Sequence, residues 1–99
     1  MVQNGFVVEF TAAAGREDEV AAFLVAARAM VEREPETITW FAFRKDERTF
    51  GIFDAFETEE GRAFHLQGGV RQAIDANGDL FAVPPTITPV DLVAAKLPQ

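Results

Sequence analysis

The sequence predicts an α+β fold with its elements in the order strand, helix, strand, strand, helix, strand, the four strands forming one antiparallel sheet. Three observations predict it. Runs rich in β-branched and aromatic residues recur with the two-residue period of a strand. Two intervening stretches carry apolar residues at helical spacing. Turn and cap residues fall at the boundaries between them.

The first strand is read over Gly5–Thr11, where Phe6, Val8 and Phe10 alternate with Val7, Glu9 and Thr11. After a turn at Ala12–Gly15, Arg16–Arg33 reads as a helix, because Val20, Phe23, Leu24, Ala27 and Val31 form one stripe. Glu17, Asp18 and Glu19 place negative charge at its positive end, and Pro35 stops it. Thr37–Lys45 and Arg48–Glu57 read as a hairpin across Asp46-Glu47. A two-residue turn would set Phe43 opposite Phe50 and Phe41 opposite Ile52. Thr39, Phe41, Phe43, Phe50, Ile52, Asp54 and Phe56 then share one face, and Ile38, Trp40, Ala42, Arg44, Thr49, Gly51, Phe53 and Ala55 share the other. A three-residue turn would break that pairing. Thr58 caps a short helix to about Gln67, Gly68-Gly69 interrupts it, and Val70, Ala73 and Ile74 resume the helical spacing up to Gly78. Leu80–Val83 ties the chain down before Pro84-Pro85, and Ile87–Lys96 reads as the last strand. This order is that of a ferredoxin-like βαββαβ unit, a single domain over residues 1–99.

Both hairpin faces read as apolar, and one layer of helices covers only one of them. A second copy is the expected cover for the other, so the chain is expected to be a homodimer that pairs through Trp40, Ala42, Arg44 and Phe53. A chain of 99 residues also leaves much of its surface exposed, which pairing relieves.

Composition excludes several function classes. The net charge of −7, from 16 acidic and 9 basic residues, gives no electrostatic reason to bind nucleic acid or an anionic membrane. No apolar run approaches the ~20 residues that span a bilayer. Met1–Gly5 lacks a basic leader segment, so the expected location is cytoplasmic. Cysteine and serine are absent and there is one histidine, which excludes thiol and serine nucleophiles and leaves no transition-metal ligand set. No phosphate-cradling glycine motif occurs. The expectation is no metal and no cofactor.

His65 is the candidate proton carrier, the one side chain whose ordinary pKa lies near neutrality. It lies roughly 9 Å along its helix. Asp54 lies roughly 13 Å back from Thr58 along its strand. The helix doubles back over the sheet, so the two sit at similar levels. The pair reads either as catalytic or as a structural ion pair at a strand–helix junction. Phe41, Phe43, Phe50 and Phe56 read either as the lining of a pocket for a flat aromatic substrate or as plain core. Trp40 and Arg44 read either as ligand contacts or as part of the dimer interface.

Phe10-Thr11 with Ala14-Gly15-Arg16-Glu17, Glu34-Pro35-Glu36-Thr37, Trp40-Phe41-Ala42-Phe43-Arg44, Thr49-Phe50-Gly51-Ile52-Phe53-Asp54-Ala55-Phe56 and Gly61-Arg62 with His65-Leu66 carry a resemblance over most of the chain. The chain resembles antibiotic biosynthesis monooxygenase domains of the quinol-monooxygenase-like group. The resemblance implies a dimeric α+β barrel, two four-stranded sheets face to face, and oxidation of quinols or polycyclic aromatics by O₂ without metal or flavin. It implies that substrate lies between sheet and helices, that Asp54 stands where the family carries an acidic residue, and that His65 matches the family's helix histidine. The catalytic tyrosine of some members has no counterpart, since tyrosine is absent. The alternative is a non-catalytic dimeric small-molecule-binding or stress-related module of the same fold.

Overall fold

The structure, a computed structural model, describes residues 2–97. Its elements are β1 (Asn4–Thr11), α1 (Glu17–Val31), β2 (Thr37–Arg44), β3 (Thr49–Phe56), α2 (Glu59–Leu66), α3 (Gly69–Ala76), a 3₁₀ turn at Gly78–Leu80 and β4 (Thr86–Asp91). The strands form one antiparallel sheet in the order β2-β3-β1-β4, so the α+β, ferredoxin-like arrangement expected from the sequence is the one observed.

Burial follows the period of two. Phe6, Val8 and Phe10 of β1 pair with Asp54, Ile52 and Phe50 of β3, and this row faces the helices. Val20, Leu24, Ala27 and Val31 of α1 pack on the same core, as do Val70 and Ile74 of α3. Phe10 and Phe56 are fully buried, each contributing about 1.5–3 kcal/mol relative to exposure. The Thr58 side chain accepts a hydrogen bond from the Gly61 N–H and starts α2. Gly68, extended at φ −82° and ψ −170°, separates α2 from α3. No helix among the described residues is long and apolar enough to cross a membrane.

The hairpin register corrects the expected faces. The Lys45 N–H donates to the Thr49 carbonyl, and the Asp46 carboxylate accepts from the Arg48 and Thr49 N–H groups. The turn therefore has three residues, Asp46–Arg48, and Arg44 pairs with Phe50, Ala42 with Ile52 and Trp40 with Asp54. One added turn residue moves every β2 side chain to the other face. Trp40, Ala42 and Arg44, expected at the dimer interface with Phe53, stand instead on the helix-facing side with Phe50. Phe41 and Phe43, expected beside Phe50 and Phe56, stand on the outer face with Phe53. The Arg44 guanidinium lies 4.9 Å from the Phe50 ring centre, and the Phe43 ring folds over the bare backbone of Gly51. A second irregularity at Ile38 resets the face again, so Thr37 points inward next to Phe56.

The last strand is shorter than expected, ending at Asp91 rather than Lys96. The Leu92 N–H still donates to the Gln3 carbonyl. Beyond it the segment leaves the sheet, and β1 offers no residues before Gln3 within a strand to pair with.

Candidate functional site

The site is assembled at one end of the sheet by three elements. Asp54 projects inward from β3, between Ile52 and Phe56 on the same row. His65 stands in the last turn of α2, and the Phe56 ring packs 5.2 Å from the imidazole, centre to centre. Glu34 lies in the loop that follows α1, where the Glu34 N–H donates to the Val31 carbonyl and the Thr37 N–H donates to the Glu34 carbonyl.

These side chains form a row across the imidazole. His65 Nδ1 lies 2.5 Å from Glu34 Oε1, and His65 Nε2 lies 3.0 Å from Asp54 Oδ2. The Thr37 hydroxyl donates to the same Glu34 oxygen at 2.8 Å. His65 is buried, and Asp54 is 1% exposed. The two contacts differ in kind. The Glu34 contact is a hydrogen bond. The Asp54 contact has ion-pair distance, but the Nε2–H is not aimed along it, and neither Asp54 oxygen has an aligned donor among the described residues. Burial pushes the His65 pKa down, and it is outweighed by the Asp54 and Glu34 contacts and charges, so the pKa is raised above its ordinary value. The shift is toward the imidazolium. The carboxylates engage different nitrogens of one ring instead of converging on a point. Consistent with that, no metal-holding group of three or more His, Cys, Asp or Glu occurs among the described residues.

A cavity of about 20 Å³ adjoins the row. Its walls are Phe6, Val8 and Ile52 of the sheet, Asp54 and His65, and a roof that includes Val70, Arg71 and Ile74 of α3. That volume holds about one water molecule. On the other side of the row, Glu34 and Thr37 border an open cleft of about 370 Å³ between α1 and β2.

The pairing of His65 with Asp54, expected from matched helix and strand rises, is present. Phe50 and Phe56 lie on the same inward row as Asp54, whereas Phe41 and Phe43 do not join it. Trp40 pairs with Asp54 across the strands, and its indole N–H is buried without an acceptor among the described residues. Sequence reasoning missed Glu34 as a site residue. The signal was there in Glu34-Pro35-Glu36-Thr37, a carboxylate and a hydroxyl in a loop fixed by proline, but nothing in the sequence says that the loop returns to α2.

The chain is 41% identical to a protein of unknown function from Nitrosomonas europaea, with a TM-score of 0.97 over 100% of this chain and 97% of that one. A "putative antibiotic biosynthesis monooxygenase" from Caulobacter crescentus superposes with a TM-score of 0.80 at 18% identity, over 94% of this chain and 92% of that one. Another protein so described, from Nitrosomonas europaea, gives 0.73 at 21% identity, over 92% and 90%. At those identities the likeness is one of fold. No protein-family model and no curated protein matches the sequence.

Proposed function

Because this chain belongs to the family of the Nitrosomonas europaea protein of unknown function and has the fold of antibiotic biosynthesis monooxygenases, we propose that it is a cofactor-independent oxygenase acting on a quinol or polycyclic aromatic. The observation that carries this reading is Asp54. It is a buried carboxylate beside the His65 imidazole, without an aligned donor, in the wall of an apolar cavity.

Asp54 is the base in this reading. A histidine with both ring nitrogens against carboxylates has no free lone pair for substrate. Asp54 has an unsatisfied one. It takes a proton from a phenolic hydroxyl or an activated ring CH₂, and the imidazolium of His65 balances the charge that forms. The resulting anion is electron-rich enough to reduce O₂. In the CH₂ case one oxygen atom becomes the carbonyl and the other leaves as water with both hydrogens; in the quinol case one oxygen atom enters a ring C–H bond as a hydroxyl and the other leaves as water with the two phenolic hydrogens, so substrate and O₂ balance without a further reductant. Phe6, Val8, Ile52 and the α3 side chains exclude water from the reacting atoms. Ligand sites for such molecules are usually about 300–1,000 Å³. The roof must therefore lift to admit substrate. The working unit in this reading is a homodimer joined through the outer sheet face at Val7, Phe41, Phe43 and Phe53.

The test is oxygen uptake with a panel of anthrones and hydroquinones in metal-free buffer. Uptake above the spontaneous rate, lost in Asp54→Asn, is the expected result. A folded wild-type protein that never exceeds the spontaneous rate refutes the reading. The water-sized cavity favours a second reading, a non-catalytic dimeric module in which the row is structural. That reading predicts no uptake and a large loss of stability in Asp54 and His65 variants.

A further inference from the structure

The oxygenase reading needs a base and a cation at the cavity, and Glu34 is neither. It does not line the cavity, yet it makes the shortest contact in the row. Its Oε1 accepts from both His65 Nδ1 and the Thr37 hydroxyl, and its side chain is nearly buried. Burying a second carboxylate next to Asp54 and a single imidazole leaves the row with a net negative charge. Such an arrangement is costly unless the imidazole is charged and each contact is made.

We propose that Glu34 is a positioning residue: its carboxylate at Nδ1 fixes the His65 ring and favours its imidazolium form, with Nε2 3.0 Å from Asp54, so that positive charge stands beside the carboxylate that accepts the proton. The part of this that concerns Asp54 as base rests on the reading above. The part that concerns Glu34 and His65 does not.

Without the negative charge at Nδ1, the imidazole loses one of its two anionic partners while its burial stays the same. The balance then moves toward the neutral ring. A neutral ring has one N–H and two tautomers, and either nitrogen can carry the proton. Where Nδ1 keeps it, Nε2 turns a lone pair toward the Asp54 carboxylate, and the two repel. With Glu34 at Nδ1 and Asp54 at Nε2, only a ring protonated at both nitrogens meets a carboxylate on each side without that repulsion. The other charged groups around His65 do not substitute for it. Asp54 acts at the opposite nitrogen, Arg71 of α3 stands across the cavity paired with Asp75, and Arg62 of α2 donates to the Gly5 and Val90 carbonyls. Thr37 fixes the Glu34 carboxylate, which explains why the irregularity at Ile38 matters: it turns Thr37 inward.

The test uses Glu34→Gln in the full chain. Glutamine keeps an oxygen that accepts from both Thr37 and His65 and loses only the charge, so the fold has no reason to change. His65 is the only histidine, so its ring signals are assigned without ambiguity in an NMR titration. The expected result is a titration midpoint lower in Glu34→Gln than in wild type, with the amide spectrum retained. A midpoint that does not fall overturns the proposal. If Glu34→Gln proves unfolded, Thr37→Val is titrated instead. It leaves the carboxylate free to swing from Nδ1, and its midpoint must also fall. In turnover of an anthrone, the alkaline limb of the pH–rate profile should move to lower pH in Glu34→Gln, with activity on that limb down by about tenfold or more and KM little changed. A purely structural Glu34 would lower activity equally at every pH, and that result also overturns the proposal. Failure of wild type to turn over refutes the oxygenase reading alone, since the titration still decides what Glu34 does.

Discussion

On the face of the sheet turned to the helices, Phe10, Phe50 and Phe56 are buried, and the buried Asp54 and His65 sit on that side. On the opposite face, Phe41 is 61% exposed and Phe43 40% exposed in the single chain. The residue type is the same and the sheet is the same. The difference is what covers them. The first face is completed by α1, α2 and α3 of its own chain, so its aromatics are spent on stability and on surrounding the Asp54–His65 pair. The second face carries Gly5, Gly51 and Ala55 beside its aromatics, small positions that suit the close approach of another surface. One face is finished by folding. The other is finished by association in the dimer proposed here.

The contrast can be broken most sharply at the cavity. If Asp54 is the base, Asp54→Asn lowers turnover by about 10²–10⁴-fold while the protein stays folded, as oxygen uptake normalised to folded protein would register. A smaller loss than that would return the inner face to a purely structural role.

Next in size is the stability difference between the faces. Phe56→Ala should cost about 3–5 kcal/mol in denaturant unfolding, because it opens a cavity against His65 and Phe6. Phe41→Ala should change the unfolding free energy of the isolated chain by no more than about 0.5 kcal/mol. Phe41→Asp should instead weaken the dimer, a shift that sedimentation at micromolar concentration would detect. A Phe41→Asp protein as dimeric as wild type would remove the outer face from the interface.

His65→Ala removes the ring that contacts both Asp54 and Glu34. A loss of about 1–3 kcal/mol is expected, measured near neutral pH. The smallest effect is the pH dependence of that contribution. The folded-state pKa of His65 is raised above 6.5, so the stabilisation is fully present below pH 6.5 and is lost as pH rises through the raised midpoint. Wild type should lose stability over that window, and His65→Ala should lose much less. Parallel pH curves for the two proteins would show that the row contributes nothing to folding.

The order of the elements and the His65–Asp54 meeting were legible in the sequence because they depend on periods and rises, which are local quantities. Asp54 and His65 are brought together by a strand of fixed rise and a helix of fixed rise joined at Thr58. The β2 faces were not legible, because they hinge on whether the turn holds two residues or three. That choice was made by the Asp46 side chain, which accepts two backbone N–H groups and draws Arg48 into the turn. Glu34 was not legible either. Its role depends on where a loop lies against a helix 31 residues later in the chain, and no local pattern encodes that.

The break at Gly68 divides labour between two short helices. α2 holds the imidazole against its carboxylates, and α3 supplies Val70, Arg71 and Ile74 to the cavity roof. A single continuous helix would pass any tilt of the roof directly into the ring, so admitting a bulkier molecule would disturb the charge state beneath it. With an extended residue between them, the roof is free to diversify in shape without retuning the proton chemistry. In such an arrangement, selectivity and reactivity can evolve as separate traits.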